Sequence, residues 1–103
     1  MKDETKLVTS GRDPENNHGV VNPPVYHAST ILHPTLDALD NSRERRMAGE
    51  RGVYYGRKGT PTTFSLEDMV CDLEGGDRCQ VYPSGLAAIA GSLLAFLKAG
   101  DHI

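Results

Sequence analysis

Two short segments of the sequence carry residue types that can bind a phosphate group. In the first, Tyr55 and Arg57 stand two positions apart, and side chains at that spacing in an extended chain point the same way. A forked guanidinium and a phenol hydroxyl can then hydrogen-bond to one phosphate together. A surface tyrosine beside a solvated arginine has the same pattern, so the pair alone leaves both interpretations open.

The second segment is the junction formed by Ser84, Gly85 and Leu86, which follows Pro83. We predict a short strand before it and a helix after it. The free N–H groups and the positive dipole end of a helix attract an anion such as phosphate, and small residues let a ligand approach the backbone. A glycine at a strand-to-helix turn is also ordinary turn chemistry, so the junction by itself is a weak signal.

An amphipathic helix is predicted between these two segments. Its apolar residues recur at i, i+3, i+4 and i+7, and they are Leu66, Met69, Val70 and Leu73. Its acidic residues are expected on the other side, and they are Glu67, Asp68 and Asp72. The residues expected to cap its start are Thr62, Thr63 or Ser65. Gly75 and Gly76 supply a left-handed stop at its end.

A second helix is predicted from Leu86 to about Lys98, and it is apolar on nearly every side, so it should be covered from several directions. Residues 79–82 before it predict a short strand, and residues from Asp101 onward predict a turn into a second strand. Strand, helix and strand in this order form a βαβ unit. One short strand cannot cover so apolar a helix, so the sequence predicts an α/β fold and the front piece of a larger protein.

Residues 1–60 are predicted to be an extended arm with little core of its own. Pro23 and Pro24 exclude a helix around them, because each lacks an amide donor and pushes its predecessor toward extended geometry. A short helix is predicted within residues 35–48. The expected division is therefore an arm with a short helix over residues 1–60 and the beginning of an α/β domain over residues 61–103.

Composition argues against several classes of function. The 11 Lys and Arg against 14 Asp and Glu give a net charge of −3, which argues against a nucleic-acid partner. The longest nearly apolar stretch, residues 86–97, is shorter than the roughly 20 residues that a bilayer needs, so we expect no membrane span. No signal-peptide core follows the polar start, so we expect a cytoplasmic protein. No metal site is expected, because the cysteines and histidines lack ligand spacing.

Several motifs, in order over about residues 18–103, resemble the opening of the cysteine and methionine metabolism enzymes that use pyridoxal 5'-phosphate (PLP). The motifs are Asn-Pro-Pro-Val-Tyr at 22–26, Tyr-Gly-Arg at 55–57, Gly-Thr-Pro-Thr at 59–62, Leu-Glu-Gly-Gly at 73–76, Ser-Gly-Leu-Ala-Ala at 84–88 and Ala-Gly-Asp at 99–101. The resemblance implies a fold-type I α/β architecture, here an arm plus an incomplete large PLP-binding domain.

The same resemblance implies a role for each candidate residue. Gly85 and Leu86 would give backbone amides to the cofactor phosphate, and Leu86 stands where many members have Met. Tyr55 and Arg57 match a pair that reaches across a subunit interface to bind the phosphate in the neighbouring active site. Tyr55 would also assist proton movement at the substrate amine or lysine. PLP, a homo-oligomer such as a homotetramer, and an arm lying on the neighbouring subunit are therefore expected.

Within the family, the Thr-Phe-Ser-Leu sequence at residues 63–66 looks like that of bacterial β-lyases, which implies cleavage of cystathionine to homocysteine, pyruvate and ammonia. Many γ-synthases and γ-lyases have Asn where this chain has Thr60, so γ-replacement or γ-elimination is the alternative. A non-catalytic fragment is the third interpretation, because family members carry the Schiff-base lysine beyond residue 103. The lysines of this chain, which we expect to be poor substitutes, are Lys2 and Lys6 in a mobile start, Lys58 and Lys98.

Overall fold

The computed structural model describes residues 2–103, and their regular elements are helical. The elements are the α-helices α1 (Asp3–Thr9), α2 (Leu36–Met47), α3 (Pro61–Glu74) and α4 (Gly85–Phe96), and a 3-10 turn η1 (Gly56–Lys58) between α2 and α3. The described chain is flat, with extents of 50 × 43 × 21 Å. The helix predicted within residues 35–48 is confirmed as α2, with the Thr35 hydroxyl accepting a hydrogen bond from the Ala38 N–H at 3.1 Å.

The predicted strands are not formed within residues 2–103, and the α/β prediction is therefore not confirmed by this structure. The one β pairing there is an isolated antiparallel bridge between Thr30 and Tyr55. A strand requires a neighbouring backbone to pair with, and the segment at 79–82 has none among the described residues. The Val81 N–H instead donates to the Glu67 carboxylate at 3.2 Å.

The amphipathic helix after residue 60 is confirmed as α3, but the prediction of its first residues was wrong. The N-cap is Thr60, with Pro61 in the first turn, where a missing amide donor costs nothing. The Thr60 N–H donates to the Thr63 hydroxyl at 3.0 Å, so Thr63 acts from inside the helix. Gly75 ends the helix with φ +67°, as its left-handed freedom predicts.

Helix α1 was not predicted. The sequence predicts a mobile start in this part of the arm. The helix contacts α3, and the Lys6 ammonium lies 3.3 Å from the Asp72 carboxylate. The extended segment that follows is also fixed to α3: the Thr62 hydroxyl donates to the Pro24 carbonyl at 2.9 Å and accepts from the Tyr26 N–H at 2.8 Å. Residues 2–26 are therefore tied to α3 at both of these places.

No apolar side chain among the described residues is fully buried; the two buried residues are Thr60 and Glu67. Helix α4 begins one residue earlier and ends two residues earlier than predicted, and its apolar side chains are exposed, with Leu94 at 80% and Phe96 at 87%. The cover that the sequence predicts for α4 is therefore not supplied by residues 2–103. None of the helices in this range is both long and apolar enough to cross a membrane.

Candidate functional site

The tyrosine–arginine segment, residues 54–58, begins extended and then turns. Tyr55 has extended backbone angles and precedes η1, which contains Arg57. The turn places the Arg57 guanidinium over the Tyr55 ring, 5.5 Å from its centroid, a distance typical of a cation–π contact. The two side chains lie close together by stacking in a turn, whereas the sequence predicts an extended chain in which they point the same way.

Arg57 is available for a ligand. Its side chain is exposed, and within residues 2–103 it forms no ion pair with a carboxylate. Tyr55 is half-buried, and its hydroxyl accepts a hydrogen bond from the Ser29 hydroxyl at 3.2 Å. A free guanidinium beside an oriented phenol can bind an anion through charge-assisted hydrogen bonds.

The backbone at Gly56 fits closely against the arm. The Gly56 N–H donates to the Ser29 carbonyl at 2.7 Å, and a Cβ at residue 56 would lie 1.7 Å from the Ala28 carbonyl oxygen. Real Cβ atoms do not approach a backbone oxygen that closely, so only glycine is compatible with this contact. Residues 28 and 29 of the arm therefore fix the backbone between Tyr55 and Arg57.

Arg51, three residues before the tyrosine–arginine segment, links the chain to α3, and sequence reasoning missed it. Its guanidinium forms two hydrogen bonds to the Asp68 carboxylate, at 2.6 and 2.8 Å, and lies 4.8 Å from the centroid of the Phe64 ring. Hydrogen bonding to Arg51 lowers the pKa of Asp68, and hydrogen bonding to Asp68 raises the pKa of Arg51. The sequence placed Asp68 on the polar side of α3 but contains no signal for its partner 17 residues away.

At the junction of residues 84–86, the structure shows a capped helix end. The Ser84 hydroxyl accepts from the Ala87 N–H at 3.1 Å, which leaves the Gly85 and Leu86 amides without an acceptor among the described residues. Gly85 is exposed, and a Cβ placed there would meet no atom within 4 Å. The junction is thus open to a ligand, with two free N–H groups at the positive end of α4.

Two contacts hold the chain leading into the junction. The Val81 N–H donates to Glu67, which is only 8% exposed, and the Tyr82 ring packs on α4 so closely that a Cβ at residue 91 would lie 2.5 Å from it. Sequence reasoning placed Glu67 on the polar side of α3 and so missed its burial. The pairing of a carboxylate with a backbone N–H 14 residues later depends on tertiary structure, which helical spacing does not encode.

The two phosphate-binding candidates do not meet within the described chain. Helix α4 makes no contact with η1 in residues 2–103. The chain just before each candidate bonds to neighbouring positions of α3: Arg51 to Asp68, and the Val81 N–H to Glu67. Within the described residues, the two candidate surfaces therefore lie apart.

A cavity of about 550 Å³ lies elsewhere, between the loop at residues 49–51, α3 and residues 77–80. Its lining includes the two free cysteines, Cys71 and Cys79, but none of the residues predicted to bind the cofactor. Among the described residues, no cluster of three His, Cys, Asp or Glu side chains is placed to hold a metal ion.

Comparison with known families decides what these surfaces belong to. The model of the Cys/Met metabolism PLP-dependent enzyme family matches residues 4–103, nearly the whole chain. This chain belongs to that family. Membership implies a fold-type I architecture, of which the helices described above are a part, and supports PLP as the cofactor.

The relatives of this PLP-dependent chain differ in the reaction that their names state. It is 41% identical over 99 residues to a cystathionine beta-lyase of Haemophilus influenzae, covering 96% of this chain and 24% of the relative. It is 39% identical over 110 residues to an L-alanine/L-glutamate racemase of Wolbachia pipientis, covering 100% of this chain and 27% of the relative. An L-methionine gamma-lyase of Fusobacterium nucleatum is 36% identical over 89 residues, 86% of this chain and 22% of the relative.

The chain spans about a quarter of the length of the curated relatives it matches. The geometry of residues 2–103 fits the phosphate end of PLP. At the junction, the free Gly85 and Leu86 amides are donors that suit a phosphate dianion, and on the separate tyrosine–arginine segment the exposed Arg57 guanidinium is another. Of the lysines, Lys6 lies on α1 against Asp72 and Lys98 follows the far end of α4, so neither is near the junction.

Proposed function

We propose that this chain is the amino-terminal part of a PLP-dependent carbon–sulfur lyase that cleaves cystathionine to homocysteine, pyruvate and ammonia. Family membership supports the cofactor class, and relatives named cystathionine beta-lyase that are 41–42% identical support the reaction. The observation that carries the proposal is the exposed Arg57 guanidinium stacked on Tyr55, because a guanidinium with no carboxylate partner among the described residues suits a phosphate.

The proposed division of labour assigns the two surfaces to two active sites. Gly85 and Leu86 donate their N–H groups to the phosphate of the chain's own cofactor. Tyr55 and Arg57 bind the phosphate held by a neighbouring copy. The separation of η1 from α4 within the described residues supports this assignment, since one chain does not bring its own two surfaces together. The protein would then be a homo-oligomer, which we propose is a homotetramer.

PLP, when bound, supplies an electron sink for the carbanion that forms at the substrate α-carbon. The residues of this chain hold its phosphate and orient it. The Tyr55 hydroxyl both donates and accepts hydrogen bonds, and we propose that it moves a proton at the substrate amine or at the lysine supplied by the longer protein. The exposed Arg57 guanidinium balances the phosphate charge beside it.

We propose that the chain divides into two parts. Residues 1–60 form an arm, and residues 61–103 form the start of a PLP-binding α/β domain. The start of α3 at Pro61 supports a boundary there. A cytoplasmic location is also proposed. It is favoured by the two free thiols, Cys71 and Cys79, since reduced cysteines are typical of that compartment.

A γ-lyase or γ-synthase reaction is the second candidate, and the 36% identity to an L-methionine gamma-lyase favours it. The products separate the two candidates. With cystathionine as substrate, β-elimination releases pyruvate, whereas γ-elimination releases 2-oxobutanoate. Thr60 in place of Asn supports the β-lyase by resemblance.

The test is to express the full reading frame that contains this chain and to measure visible cofactor absorbance and the keto acid released from cystathionine. The proposal expects bound PLP and pyruvate. Release of 2-oxobutanoate would favour the second candidate, and absence of bound cofactor would contradict both. The isolated chain, treated with PLP and borohydride, should show no specifically labelled lysine; a labelled one would contradict the placement of the Schiff-base lysine in the longer protein.

A further inference from the structure

Ser29 contacts the tyrosine–arginine segment through both its backbone and its side chain. Its carbonyl accepts from the Gly56 N–H at 2.7 Å, and its hydroxyl donates to the Tyr55 hydroxyl at 3.2 Å. The next residue, Thr30, forms the β-bridge with Tyr55. No other described side chain hydrogen-bonds to the Tyr55 hydroxyl.

The backbone on which Ser29 lies is held on both sides. Toward Gly56, the approach of the Ala28 carbonyl is so close that no Cβ fits at residue 56. Toward the start of the chain, the Pro24 carbonyl and the Tyr26 N–H are hydrogen-bonded to Thr62 of α3. The backbone at Ser29 is therefore held beside Tyr55 by contacts that do not involve the Ser29 side chain.

A hydrogen bond accepted by a phenol directs the phenol's own proton. The Tyr hydroxyl has one proton to donate and lone pairs that accept. When Ser29 fills an acceptor position, the Tyr55 proton is left to be donated to another group. The Arg57 guanidinium lies over the same ring, 5.5 Å from its centroid.

We propose that Ser29 is a positioning residue that orients the Tyr55 hydroxyl as a hydrogen-bond donor toward the cofactor phosphate. The inference rests on the proposed function, because it takes the phosphate of PLP as the group that Tyr55 binds. Ser29 itself does not touch the cofactor. Its effect is exerted through Tyr55, and removal of the Tyr55 hydroxyl must abolish it.

A double-mutant cycle in the full-length holoenzyme tests this. The dissociation constant of PLP is measured for the wild type, Ser29→Ala, Tyr55→Phe and the double variant. Ser29→Ala should weaken PLP binding about 3- to 10-fold, the range expected for one hydrogen bond. In the Tyr55→Phe background the same change should have no further effect, because its partner atom is gone. Ser29→Thr, which keeps the hydroxyl, should restore binding to within about twofold of the wild type.

Ser92→Ala is the matched control, since Ser92 is another exposed serine whose hydroxyl bonds to a carbonyl of α4, and it should leave PLP affinity unchanged. If Tyr55→Phe weakens binding and Ser29→Ala does not, the inference is overturned while the proposed function stands. An equal loss from Ser29→Ala in both backgrounds also overturns it, since Ser29 then acts through another group. If Tyr55→Phe binds PLP like the wild type, the proposed role of Tyr55 fails and the inference fails with it.

Discussion

The tyrosine–arginine segment and the junction at the start of α4 are proposed to bind the same kind of group, but the chain holds them in different ways. Ser29 and Ala28, distant in sequence, contact the first directly, and the Arg51–Asp68 pair holds the chain just before it. The junction is shaped mainly by its own local cap, Ser84, and continues into a helix whose apolar side chains are exposed. The geometry of the first therefore depends on tertiary contacts, and that of the second on local sequence.

The largest effect is expected at Arg57. Arg57→Ala in the full-length protein should weaken PLP binding about 10- to 100-fold, because it removes charge-assisted hydrogen bonds to phosphate. Arg57→Lys keeps the positive charge but not the forked guanidinium, so its PLP affinity should lie between those of the wild type and Arg57→Ala. Equilibrium titration with PLP measures the change. Arg43→Ala, which alters an exposed arginine paired with Asp40 on α2, is the control, and an equal loss there would contradict a specific role for Arg57.

Glycine-to-alanine substitutions, one in each region, compare how tightly the backbone is packed at the two places. Gly56→Ala places a Cβ against the Ala28 carbonyl and should lower the free energy of unfolding by about 1–3 kcal/mol, the usual range for overpacking. Gly85→Ala meets no atom within 4 Å and should change stability by less than about 0.5 kcal/mol. Denaturant unfolding of the two full-length variants measures both. Equal stability of the two variants would contradict the close contact of the arm.

Removal of the local cap tests the junction. Ser84→Ala deletes the acceptor of the Ala87 N–H and should lower the free energy of unfolding by about 1 kcal/mol, as is typical of N-caps. Ser84→Asp keeps an acceptor and should retain most of the stability. A Ser84→Ala variant as stable as the wild type would show that contacts other than the cap determine this helix start.

The smallest effect concerns the Arg51–Asp68 pair. Because hydrogen bonding to Arg51 lowers the pKa of Asp68 from its ordinary value of 3.8, the pair stabilises the fold at higher pH, and its contribution is lost as pH falls below that value. Both side chains are about half exposed, so the contribution should be below about 1 kcal/mol. The unfolding free energies of wild type and Asp68→Asn should differ at neutral pH and converge in acid.

Asp40→Asn provides the comparison for that experiment, since Asp40 forms one contact with Arg43 whereas Asp68 forms two with Arg51. Its effect at neutral pH should be the smaller of the two. A difference between wild type and Asp68→Asn that grows as pH falls would contradict the sign of the linkage.

The contrast between the regions also explains what the sequence predicted. The helix start at the Ser84 junction and the stop at Gly75 are confirmed because they depend on residues a few positions apart. The burial of Glu67 and the contact of Ser29 with Tyr55 were missed, because their partners lie 14 and 26 residues away. The predicted strand at 79–82 was not found, because a strand forms only when a second strand pairs with it. An alternating or apolar sequence indicates only that a segment could pair in this way.

The central claim is that the two phosphate-binding surfaces of one chain serve two active sites, and subunit mixing tests it most directly. Arg57→Ala and Gly85→Asp full-length proteins, each deficient in PLP binding, are unfolded together and reassembled, and bound cofactor is counted. If each site combines surfaces from two copies, random pairing should restore about one quarter of the sites. Failure of the mixture to bind more PLP than either variant alone would show that both surfaces act within one chain and would contradict the account.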